Sequence, residues 1–203
     1  MKKILTSVLA ASLMLLGTNA FAQISVGAGY VNGKYTYSTS SSNKHSDNAN
    51  GFYAGLDYTI PVGDIFGLSA GVNFEYMMSK DYNIMGISGN LKEQYINAPV
   101  RLNFGMDMGG SRVFAFAGPT FSYALSSKAE VGALGLTGSV DLFEKKILDN
   151  RFDVLVGGGL GIDLMNKIRV SVGYDFGMFN KLSDDSDAKF NRNRLHAGVA
   201  FLF

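Results

Sequence analysis

The stretch Arg194-Leu195-His196-Ala197-Gly198-Val199-Ala200-Phe201-Leu202-Phe203 decides how the chain is read. In it Leu195, Ala197, Val199, Phe201 and Phe203 are apolar at every second position. A period of two is that of a β-strand with one apolar face. A strand of this kind that finishes on phenylalanine is expected of a chain closed into a barrel in the bacterial outer membrane.

The opening residues agree. Met1 to Ala22 reads MKKILTSVLAASLMLLGTNAFA, with two lysines ahead of an apolar run from Ile4 to Leu16. Ala20-Phe21-Ala22 fits the small-x-small rule for signal-peptide cleavage. Residues 1–22 are therefore expected to be a cleavable signal peptide, and 23–203 a single barrel domain.

Composition narrows the class. Charged residues make up 17% of the chain, where about a quarter is usual for a soluble domain. Yet no segment after the leader approaches the roughly 20 apolar residues of a membrane helix. Val154 to Ile162 (VLVGGGLGI) comes nearest and is short and broken by glycines. A chain this apolar without lipid-spanning helices points to an all-β fold, an antiparallel transmembrane β-barrel. The net charge of +1 implies no nucleic-acid partner. The absence of cysteine excludes disulfides, thiol catalysis and a lipid anchor on a cysteine.

Eight strands are expected. The first spans Ile24 to Tyr37, with a change of parity near Asn32-Gly33 that suggests a bulge. The second is Gly51 to Ile60, the third Phe66 to Tyr76 and the fourth Gln94 to Met106. The fifth, Arg112 to Ser126, is apolar on both faces, so its orientation is open. The sixth is Arg151 to Leu164, the seventh Ile168 to Met178, and the eighth is the terminal strand. Long polar connections (Ser38 to Asn50, Met77 to Glu93, Ser127 to Asn150, Phe179 to Asn191) alternate with short ones (Pro61 to Ile65, Asp107 to Ser111, Met165 to Lys167). Short turns facing the periplasm and long loops facing outside give this alternation, with both termini periplasmic. The first long loop is low-complexity and polar. The third carries Val131, Leu134, Leu136, Val140, Leu142 and Phe143, so the hairpin of strands five and six is expected to extend above the membrane.

With the strands placed, four segments appear in order: Phe52-Tyr53-Ala54-Gly55-Leu56, Tyr95-Ile96-Asn97-Ala98-Pro99-Val100-Arg101-Leu102, Ala117-Gly118-Pro119-Thr120-Phe121-Ser122-Tyr123 and Val172-Gly173-Tyr174-Asp175-Phe176-Gly177. Over nearly the whole mature chain they resemble the outer-membrane β-barrel domain family common in Bacteroidetes, which includes PorT-like proteins. The resemblance implies an outer-membrane barrel of a Gram-negative bacterium and no catalytic residues. It implies that the strand end bearing Phe201 and Phe203 is what the barrel assembly machinery reads.

Eight strands nearly fill their own interior with side chains. On the inward faces lie Asp57, Glu75, Arg101, Asp153, Asp163, Arg169, Asp175, Arg194 and His196. Isolated charges there are costly, so they are expected to pair, either as a plug of salt bridges or as an ion or proton path. Ser171, Asp175 and His196 could form a nucleophile, acid and base, though no motif marks a nucleophile. The chain's other histidine, His45, sits in the polar first loop, and so few histidines make no metal site. Gly157-Gly158-Gly159-Leu160-Gly161 lacks the helix, lysine and Ser/Thr of a phosphate loop. In a barrel strand such glycines allow curvature and close approach of side chains. Asp184, Asp185 and Asp187 do not match an EF-hand.

These readings lead to a small non-enzymatic outer-membrane barrel with a plugged lumen and a structural or surface-interaction role. A narrow pore for small solutes, or an accessory part of a protein secretion machine, is the alternative. No cofactor or metal is expected. The expected partners are outer-membrane lipid and lipopolysaccharide, the assembly machinery, and an extracellular or envelope protein.

Overall fold

Hydrocarbon offers no water, so every backbone N–H and C=O of a spanning sheet must pair, and its two edges must meet. A computed structural model of the chain describes residues 23–38, 44–84, 87–133, 136–141, 150–179 and 189–203. It contains β1 (Gln23–Ser38), β2 (Lys44–Val62), β3 (Phe66–Ile84), β4 (Ile87–Asp107), β5 (Ser111–Ala133), β6 (Leu136–Asp141), β7 (Phe152–Leu164), β8 (Ile168–Gly177) and β9 (Lys189–Leu202). The expected signal peptide and the Asp184, Asp185 and Asp187 loop lie outside the described residues. Among the described residues no helix is long and apolar enough to cross a membrane.

The ring runs β1-β2-β3-β4-β5-β7-β8-β9 and returns to β1, with every pairing antiparallel. β6 and β7 share one edge of β5. β7 takes the stretch from Ser111↔Leu164 to Tyr123↔Phe152, and β6 takes Lys128↔Asp141 to Ala133↔Leu136 beyond it. The barrel is therefore eight-stranded and closed, and the β5–β6 hairpin rises past it as expected. Closure runs from Ser25↔Leu202 to Ser38↔Lys189. It is finished by the Phe203 N–H donating to the Ile24 carbonyl at 2.8 Å.

Residues 63–65, 108–110 and 165–167 make the short connections at one end, the turn end. The outward faces carry the apolar alternation, among them Val26, Leu56, Val72, Ile96, Leu102, Leu160, Val172 and Val199, all exposed. Aromatic pairs bound this belt. Phe66–Phe104 and Phe201–Phe203 lie toward the turn end, and Phe52–Tyr76 and Phe121–Phe152 toward the loop end. Phe52 to Val62 on tilted β2 spans about 25 Å, the height of an outer-membrane apolar band.

Three expectations need correction. β1 keeps one unbroken register with both β2 and β9, so there is no bulge at Asn32-Gly33. The surroundings change there, not the parity. Beyond the girdle the outward residues turn polar (Asn32, Lys34) and the buried inward ones turn apolar (Val31, Tyr35). Irregularities fall instead at Ser79/Tyr82 and Gln94/Tyr95.

The same inversion hides strand from a period-two reading of Met77 to Glu93. That stretch is mostly the β3–β4 hairpin, with only residues 85 and 86 between the strands. Much of the expected first loop is likewise β2. The ambiguous fifth strand also resolves. Phe114 and Phe116 face inward with Thr120 and Ser122, while Val113, Phe121 and Tyr123 face outward.

Val172 lies mid-belt on the outer face of β8. Val172→Arg is expected to cost roughly 2–4 kcal/mol of folding free energy in lipid vesicles. Asn48→Arg, on the polar outer face of β2 beyond the girdle, should cost far less. Equal costs in urea unfolding would contradict the face assignment.

Candidate functional site

Because the barrel is narrow, inward side chains from opposite walls reach one another. The glycines of β7 and β8 make this possible. The Phe116 ring lies where a Cβ on Gly159 or Gly173 would stand, and the Phe114 ring covers Gly161. Gly157, Gly159 and Gly161, on the inward face of β7, are thus a floor for side chains.

The middle of the lumen holds an ionic cluster. Asp175 of β8 accepts from Arg101 of β4 at 2.7 Å and from Arg194 of β9 at 2.6 Å. Arg194 continues to Glu75 of β3 at 2.9 Å, and Glu75 also takes Arg192 at 3.3 Å. Glu75, Asp175 and Arg192 are fully buried. Neutral groups complete the cluster. The Asn97 amide donates to Glu75 at 3.1 Å, Arg192 donates to the Ser122 hydroxyl at 3.0 Å, and Arg101 donates to Thr120 at 2.7 Å. The Arg192 guanidinium lies 3.8 Å from the Tyr95 ring centroid. β3 and β8 stand four places apart in a ring of eight, so the chain Glu75–Arg194–Asp175 ties opposite walls together.

A break in the ladder supports one member. Pro119 has no N–H to donate, and pairing between β4 and β5 lapses from Val100 to Arg101 opposite Gly118 and Pro119. The Gly118 carbonyl accepts from Arg101 instead. A Cβ at Gly118 would stand 2.2 Å from the Val100 carbonyl oxygen, so only glycine fits.

Toward the loop end a second layer lies over the first. Val31, Tyr35, Met77, Leu91, Tyr95 and Leu155 are buried there. Glu93 sits among them, accepting from the Tyr35 hydroxyl, from Tyr95 at 2.8 Å and from Ser127 at 3.2 Å.

Toward the turn end the lumen opens. A cavity of about 110 Å³ lined by Asp57, Ser69, Asn73, Arg101 and His196 shares Asn103, Phe114 and Arg169 with a wider mouth of about 450 Å³. In that mouth Arg169 pairs with Asp163 through two hydrogen bonds of 2.7 and 2.9 Å.

The inward residues expected from the sequence therefore fall into three groups. Glu75, Arg101, Asp175 and Arg194 form the cluster. Asp163 and Arg169 form a separate pair. Asp57 faces the cavity without an ion pair, and Asp153, buried, has both carboxylate oxygens without a hydrogen-bond partner. His196 lies 3.6 Å from Asp175 with its Nε2 unbonded, and Ser171 lines the same cavity without bonding to it. No described group of three or more His, Cys, Asp or Glu is placed to hold a metal ion. Phe201 and Phe203 are exposed on the outer wall, away from the lumen.

Sequence reading missed Arg192 and Glu93. Arg192 stands two residues before Arg194 and so shares its face. Continuing the terminal period by one step would have found it. Glu93 lay one residue before the expected fourth strand, on the parity of Tyr95 and Asn97.

The model of the outer membrane protein beta-barrel domain matches residues 8–203. Among solved structures the chain is similar to Ail, the attachment invasion locus protein of Yersinia pestis. They share 14% identity over 90% of this chain and 99% of that one, with a TM-score of 0.51. The outer membrane protein OprG of Pseudomonas aeruginosa has 11% identity over 92% and 98%, with a TM-score of 0.49. Neisserial surface protein A has 16% identity over 89% and 97%, with a TM-score of 0.46. At this identity the likeness to Ail is one of fold alone. No curated protein matches the chain.

Arg194→Ala leaves Glu75 and Asp175 short of their shared partner and is expected to cost about 3–5 kcal/mol. Asp153→Asn removes a buried charge that no hydrogen bond compensates. Arg192 feels that charge through space alone, so the loss should be clearly smaller than at Arg194, nearer the roughly 1 kcal/mol of a typical point substitution. Denaturant unfolding in vesicles reads both. A loss at Asp153 as large as that at Arg194 would contradict this partition.

Proposed function

The chain belongs to the outer membrane protein beta-barrel domain family, and from that premise we propose that it is a non-catalytic surface barrel with a closed lumen. Its loop end faces outward and both termini face the periplasm. The observation that carries this reading is the cross-lumen cluster of Glu75, Arg101, Asp175, Arg192 and Arg194, overlain by the buried layer around Tyr35, Met77 and Tyr95. The lumen open at the turn end is then a cul-de-sac, not a passage.

The loop end supports a role in display. β3, β4 and β5 run well beyond the aromatic girdle, and on β1 and β4 there Asn32, Lys34, Asn90 and Lys92 lie outward while Val31, Tyr35 and Leu91 are buried inward. That is the pattern of a wall standing in water, and it presents the connecting segments to a protein partner. The unbonded His196 Nε2 and the absence of a Ser171 contact to it favour a non-catalytic lumen. Neither the narrow pore nor the accessory secretion component has an observation of comparable weight in its favour.

In planar bilayers the purified barrel is expected to stay at the leak level. Steady, well-defined channels would make the narrow pore the better reading. Co-purification of a fixed set of envelope proteins in mild detergent would favour the secretion component.

The terminal aromatics belong to the same proposal. Phe203 closes the sheet through its N–H to Ile24 and packs on Phe201 with ring centroids 4.9 Å apart. Deleting Phe203 should lower surface levels sharply, because an unclosed edge invites aggregation. Normal surface levels would contradict its part as the assembly mark.

A further inference from the structure

The outer wall over β7, β8, β9 and β1 is not uniform. Most of the belt presents large side chains, but here Ala28 and Ala197, with Leu160, Val172 and Val199 beside them, line an open apolar groove. Ala28 faces Val199 across the β1–β9 pairing, and Ala197 faces Tyr30.

Following the outward face of β1 toward the loop end gives Ala28, Tyr30, Asn32 and Lys34 in succession. The six residue steps from Ala28 to Lys34 cover about 20 Å. Tyr30 alone thus stands between the groove and a polar patch at the upper edge of the belt. Asn48 and Asn50 of β2 flank the patch, Asn48 standing opposite Lys34 and Asn50 opposite Asn32. The Tyr30 hydroxyl and the Asn32 amide, the latter at 2.8 Å, both donate to Asn50 Oδ1. That leaves the Asn50 amide N–H groups and the Asn32 carbonyl as a donor and an acceptor side by side. Lys34 is exposed, and no carboxylate among the described residues pairs with it.

An apolar groove with a row of amides and an unpaired ammonium above it, one outward residue away, suits an amphipathic anion. The row of amides fits vicinal hydroxyls, and the lysine fits a phosphate as a point charge. We propose that this wall binds one acylated, phosphorylated sugar of the outer leaflet, the lipid part of lipopolysaccharide. One acyl chain lies in the groove between Ala28 and Ala197. The sugar lies against Asn32, Asn48 and Asn50, and its phosphate against Lys34. The site's occupancy in cells rests on the proposed outward orientation of the loop end, but its chemistry does not.

The test is native mass spectrometry of the purified full barrel in detergent, titrated with lipopolysaccharide or with phosphatidylglycerol. The parent should retain one lipopolysaccharide in preference to phosphatidylglycerol. Lys34→Glu and Ala197→Trp should each weaken retention roughly tenfold or more. Lys128→Glu, on β5 across the ring from β1, should leave it unchanged. Ala28→Trp serves as a second groove-filling variant, and altered gel mobility on boiling identifies the folded samples. Equal retention by all variants overturns the site, and equal retention of phosphatidylglycerol overturns the sugar. Cross-linked pairs of Ala28→Cys barrels that persist when lipopolysaccharide is added assign the groove to a second copy instead. Labelling of Ser41→Cys on intact cells tests the orientation separately.

Discussion

Everything in this barrel follows from backbone hydrogen bonding in a medium that supplies no alternative partner. Within hydrocarbon an unpaired N–H or C=O costs several kcal/mol, roughly as much as many proteins' entire margin of stability. The sheet must therefore close, and β1 must find β9. Closing only eight strands then brings the inward faces of opposite walls within reach of one another. The lumen's chemistry is a consequence of that convergence. Arg194 of β9 reaches Glu75 of β3 and Asp175 of β8 because the ring leaves no room for them to stay apart.

Convergence also explains the small residues. A ring of large inward side chains could not close at this radius. Phe114 and Phe116 occupy the lumen only because Gly159, Gly161 and Gly173 leave space on the neighbouring strands β7 and β8. Gly118 serves a different end. It lets the chain pass close to Val100 and turn its carbonyl to Arg101, so a lapse in the ladder becomes a ligand for a buried cation. Arg101, held by carboxylate, carbonyl and hydroxyl together, meets the requirement that a desolvated charge be both paired and hydrogen-bonded.

The strands cross from lipid into water, and this boundary set how much the sequence alone could say. Within the belt the alternation of residues such as Val170, Val172 and Phe176 is unambiguous, because one neighbour is lipid and the other a polar lumen. Eight strands, their order and the closed sheet were legible there. Beyond the girdle the rule reverses. Tyr35 and Met77 point inward while Lys34 and Asn50 point outward, so lipid-facing alternation alone makes the β3–β4 hairpin look like loop and Asn32-Gly33 like a bulge. The inward charges were legible by parity, but their pairing was not. Nothing in Asp153 or Asp57 distinguishes them locally from Asp175. Only the tertiary placement of Arg101 and Arg194 gives Asp175 its partners, and it leaves Asp153 without a hydrogen bond.

Glu75 and Asp175, on opposite walls, are bound into one unit through Arg194. A double-mutant cycle on Glu75→Gln and Asp175→Asn, read by urea unfolding in lipid vesicles, tests it most directly. A shared partner predicts a coupling energy of roughly 0.5–3 kcal/mol. Losses that add to within about 0.3–0.5 kcal/mol would mean that the two walls are energetically independent, and the closed lumen would lose its physical basis.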